Sequence, residues 1–113
     1  MFKNTREYKA RHDPFNPIKR TVCIDDDVKT AIKSAIDNKL YYIGCQVKSV
    51  SVWVGLSVIE ITIKLYSMDA SRDELNDAIE SAINSAFSNL YNSTEREETV
   101  DKFASKGYKI YIQ

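Results

Sequence analysis

From Tyr41 to Tyr66 strand-forming residues run almost unbroken around a single glycine, Gly55, which is flanked by Val50, Val52, Trp53, Val54, Leu56 and Val58. Such a run folds most simply into a long β-hairpin. Its second half is the more regular one. Ile59, Ile61, Ile63 and Leu65 alternate with Glu60, Thr62, Lys64 and Tyr66, the pattern of a strand buried on one face only. The first half changes phase, since Ile43, Cys45 and Val47 keep one alternation while Val50, Val52 and Val54 keep the other. A β-bulge near Lys48 and Ser49 is therefore predicted, because one extra residue returns the apolar set to the core side. The tip is apolar where hairpin tips usually carry polar turn residues, which marks it as a surface that something else covers.

Length and composition bound the remaining choices. A chain of 113 residues, 43% apolar and 28% charged, forms one folded domain without needing a metal or disulfide framework. No apolar run approaches the roughly 20 residues of a membrane span. The opening MFKNTREYKARHD lacks the apolar centre of a signal peptide, so a cytoplasmic location is expected. Cys23 and Cys45 then read as reduced, buried small hydrophobes.

No catalytic, cofactor or metal signature emerges. The three glycines, Gly44, Gly55 and Gly107, lie far apart, so no phosphate-cradling loop exists. A turn accounts for Gly55 and a helix C-cap for Gly107. The one histidine, His12, lies in a proline-bearing segment with no adjacent nucleophile and reads as a surface residue. Asp25, Asp26 and Asp27 offer clustered carboxylates that hold Mg²⁺ in other settings, but they fall where a helix must begin and read as first-turn acids.

Thr21–Ile24 reads as a short first strand. Val28, Ala31, Ile32, Ala35 and Ile36 then form an apolar stripe on a helix ending near Asn38. After the hairpin, Ser71-Arg72-Asp73-Glu74 is a capping box ahead of Leu75, Ala78, Ile79, Ala82, Ile83, Ala86, Phe87, Leu90 and Tyr91, a helix of about five turns. A second box, Thr94-Glu95-Arg96-Glu97, precedes Val100, Phe103 and Ala104, and Tyr108–Ile112 alternates as a last strand. The order is βαββαβ, with a short extra helix before the last strand. That is a ferredoxin-like α+β arrangement, an antiparallel sheet with two main helices on one face. Its open face would show Glu60, Thr62, Lys64, Lys109 and Tyr111.

Residues 1–20 form a separate arm and residues 21–113 the domain. The arm contains Pro14 and Pro17, and its Lys3, Arg6, Lys9, Arg11, Lys19 and Arg20 outweigh Glu7 and Asp13 for a net +4. From Asp69 to Asp101 nine acids face only Arg72 and Arg96, a net −7 in a chain that is neutral overall. The sequence is thus read as a non-enzymatic protein-interaction or assembly module, binding its own copies or another protein. Val52, Trp53, Val54 and Leu56 form the anchor, and Arg6, Lys9, Arg11, Lys19 and Arg20 orient the partner. A small domain of this kind also suits a phage or mobile-element accessory or inhibitor protein, with the acidic flank either a binding face or only a solvated one. The alternative is a single-stranded nucleic-acid binder, with Phe2, Tyr8 and Phe15 stacking on bases and Lys64, Lys109 and Tyr111 extending the track. RNA-recognition-motif domains share the element order, but TVCI and SVIEITIKL lack their paired stacking aromatics.

Overall fold

The computed structural model describes residues 20–67 and 69–113 of the chain. It is an α+β arrangement with six elements: α1 (Asp25–Tyr42), β1 (Gln46–Val54), β2 (Val58–Ser67), α2 (Arg72–Asn92), α3 (Glu97–Ala104) and β3 (Gly107–Ile112). The strands form one sheet in the order β1-β2-β3, β1 and β2 antiparallel and β2 and β3 parallel. Among the described residues no helix is long and apolar enough to cross a membrane.

The fourfold spacing of Val28, Ile32, Ile36 and Leu40 puts all four on one side of α1, where each is fully buried. Leu40 explains why the helix passes the expected stop at Asn38: one more turn adds a fourth apolar residue to the stripe. Tyr41 and Tyr42 therefore belong to the helix and not to the hairpin, which begins at Gln46. Gly44 makes the intervening turn with φ +85°, a backbone conformation that side-chain-bearing residues rarely adopt.

On α2 the residues Leu75, Ala78, Ile79, Ala82, Ile83, Ala86 and Leu90 are buried, with Phe87 and Tyr91 half-buried beside them. The predicted capping box is formed: the Glu74 amide donates to Ser71 Oγ at 3.2 Å and the Ser71 amide to Glu74 Oε1 at 3.4 Å. The two long helices pack on each other and close over Val50, Ile59, Ile61 and Ile63 of the sheet. Val100 and Phe103 of α3 complete that core.

The predicted bulge is present. Val47 pairs with Leu65 and Ser49 with Lys64, leaving Lys48 as the extra residue on β1. One step earlier Gln46 pairs with Ser67, so Tyr66 is the extra residue on β2. The two inserted side chains meet, Lys48 Nζ lying 5.8 Å from the centre of the Tyr66 ring. Beyond the bulge Val50, Val52 and Val54 face Ile63, Ile61 and Ile59 on the core side.

Three expectations are corrected. Thr21–Ile24 forms no strand, so the βαββαβ order is not what is seen. The chain here is held by the α2–α3 connection and α3 instead: Arg20, just before the segment, exchanges amide bonds with Ser93 and Glu95, and the Cys23 amide donates to Thr99 Oγ1 of α3 at 2.8 Å. β3 then takes the free side of β2, which in a ferredoxin-like sheet belongs to the first strand, and runs parallel to β2, so the sheet is mixed where an antiparallel one is expected. The second capping box does not form either. The cap position of α3 is Arg96, Thr94 is buried two residues earlier, and Thr99 Oγ1 closes the turn onto the Arg96 carbonyl at 2.6 Å. Gly107 is not a C-cap: it opens β3 without a positive φ, its amide donating to the Ser57 carbonyl.

Candidate interaction surface

The tip of the β1–β2 hairpin combines large apolar side chains with solvent. Leu56 is 99% exposed and Trp53 58% exposed. The Gly55 amide donates to the Val58 carbonyl at 2.8 Å and closes the turn. The Trp53 ring folds over Gly55 so closely that a Cβ there would stand 2.6 Å from Trp53 Cζ3. Glycine at this position thus makes room for the indole as well as for the turn.

Trp53, Val54, Leu56 and Val58 share a groove of about 650 Å³ with Asp25 of α1 and with Lys102, Phe103 and Lys106 around the end of α3. Lys106 ties the two sides together, since its Nζ donates to the Gly55 carbonyl at 2.5 Å while lying 5.5 Å from the centre of the Phe103 ring. Lys102 Nζ lies 5.8 Å from the same ring and is exposed. The groove therefore has an apolar floor and a rim with two ammonium groups and one carboxylate. The rim lysines carry no signal in the hairpin sequence. They arrive because α3 and β3 meet at the hairpin end of the sheet.

The four residues expected to anchor a partner divide between two sides. Trp53 pairs with Glu60 on the open face of the sheet, whereas Val52 and Val54 pair with Ile61 and Ile59 and turn toward the core. Val52 is half-buried against that core and does not line the groove. Arg20 does not line the groove, and its Nη1 donates to Asp27 Oδ1 at 2.6 Å. Arg6, Lys9, Arg11 and Lys19, along with Phe2, Tyr8, Phe15 and His12, lie outside the described residues.

The residues considered for nucleic acid do share one surface. Glu60 faces Lys109 and Thr62 faces Tyr111 across the β2–β3 pair, with Lys64 one step along, and Lys64, Lys109 and Tyr111 are exposed. Glu60 sits in the middle of that face. Of the three aspartates that open α1, Asp27 is engaged twice: it takes the Arg20 ion pair and accepts the Ile24 amide at 3.0 Å. Among the described residues no group of three or more histidine, cysteine or acidic side chains is placed to share a metal. Cys23 and Cys45 are both buried and unbridged, and burial pushes the Cys23 thiol above its ordinary pKa, with the Asp27 charge adding to the effect. No family model, no curated protein and no solved structure matches the chain.

Proposed function

We propose that this chain is a protein-interaction module that docks through its hairpin tip. The observation that carries the reading is Leu56 at 99% and Trp53 at 58% exposure, side by side on a groove whose other wall is α3. Covering a leucine fully contributes about 2 kcal/mol, and an aromatic anchor in a desolvated pocket contributes at least as much. The partner, whether a second copy or another protein, brings apolar side chains to the groove and carboxylates to Lys102 and Lys106. The basic residues of the arm steer its approach.

A photo-reactive residue placed at position 56 should cross-link to the partner in cells producing the full chain. With that partner purified, Trp53→Ala should raise the Kd about 30-fold, the equivalent of about 2 kcal/mol. Absence of any cross-link, or equal affinity for both forms, rejects the tip as a docking site. The second reading, single-stranded nucleic acid on the open sheet face, is favoured only by the shared exposure of Lys64, Lys109 and Tyr111.

A further inference from the structure

The two edges of the sheet are not alike. β1 carries the Lys48 bulge on its edge, a device that disrupts pairing with a further strand. β3 pairs with β2 in unbroken register from Gly107 to Ile112 and has no bulge and no proline. The Gly107 and Gln113 amides donate to Ser57 and Ile63, so the odd-numbered residues of β3 point their backbone groups at β2. The even-numbered ones, Tyr108, Ile110 and Ile112, point theirs away from the sheet. Their side chains lie on the helix side, where the core is incompletely closed. Ile110, Ile112 and Phe87 are only half-buried, and a cleft of about 170 Å³ reaches between α2 and β3 past Phe87 and Tyr108.

We propose that β3 pairs antiparallel with β3 of a second copy about a two-fold axis at Ile110. The strand is self-complementary in that register and in no need of a different partner. Ile110 faces Ile110, and Tyr108 faces Ile112, so every outward amide and carbonyl of the three residues finds its mate. On the helix side the facing pairs are all apolar and extend the half-covered row of the core. On the open side Lys109 of each copy faces Tyr111 of the other, a cation over a ring, and no like charges stand directly opposite. The product is one continuous sheet with a hairpin tip at each flank, independent of what the tips bind.

Analytical ultracentrifugation of the full chain should show a monomer–dimer equilibrium. Ile110→Pro removes an outward amide without touching the β2 ladder, and should weaken self-association at least tenfold with the circular dichroism spectrum unchanged. Should that variant misfold, Ile110→Cys decides: facing α-carbons about 5.5 Å apart permit a disulfide, so mild oxidation should yield a covalent dimer. Gln46→Cys on the opposite edge should yield none. A protein that stays monomeric, a dimer that survives Ile110→Pro, or no cross-link through position 110 overturns the pairing. Leu56→Asp separates the two surfaces. A dimer unaffected by it supports the β3 edge, and a dimer abolished by it places the contact at the tip and overturns this assignment.

Discussion

The Tyr91 hydroxyl donates a hydrogen bond to Asp101 Oδ1 and joins the end of α2 to α3. Giving up that proton would leave two negative groups in contact, so the hydrogen bond to Asp101 holds the Tyr91 pKa above its ordinary value. A pKa raised in the folded state means stabilisation that is complete below the ordinary tyrosine range, about pH 10, and lost as pH rises through the raised value. Spectrophotometric titration of Asp101→Asn should therefore show one tyrosine ionising at lower pH than in the wild type. Tyr91→Phe should remove the same high-pH component and leave the others in place. Nothing in the spacing of Tyr91 and Asp101 signals this contact, because it crosses the connection between two helices. Gly55 shows the same limit from the other side: its place in a turn is legible in the sequence, while its second duty, leaving space for the Trp53 ring, depends on how that ring folds back.

At the scale of elements, local periodicity carried most of the information. The stripes of α1 and α2, the alternation of β2 and the phase change in β1 each state which residues must share a side, and those residues are buried in the core or half-buried against it. Caps were legible where the side chain serves its own helix. Ser71→Ala should lower the unfolding free energy by about 1 kcal/mol in urea titrations, with Ser71→Asp restoring most of it. The capping pattern puts the start of α3 at Thr94, whereas the helix begins at Glu97. Thr94 is instead buried beside Arg20, with which it forms an isolated bridge, and Thr99 supplies the local closure. A capping motif and a buried tertiary threonine look alike in one dimension.

For the whole molecule, the charge imbalance is plain from composition and its consequence is a matter of surfaces. If nucleic acid were the true ligand, phosphate contacts from Lys64 and Lys109 together with the arm would release counterions and make binding steeply salt-dependent. The interaction-module reading instead expects no salt-sensitive binding to single-stranded DNA or RNA by the intact chain in fluorescence anisotropy at low ionic strength. Tight binding that falls by orders of magnitude as salt is raised would replace it.

Which side of each helix and strand meets the core was decided by the order of residues alone, since a one-residue slip would expose every apolar side chain of the element at once. Which strand lies beside β2 was not, because backbone hydrogen bonds carry no sequence code and the choice between Thr21–Ile24 and β3 turned on competition among distant segments. The loop between α2 and α3 claimed the first, and β3 gained the sheet. That outcome made β3 an edge strand among the described residues and brought Lys102 and Lys106 to the hairpin tip. Both proposed surfaces are therefore products of tertiary assembly.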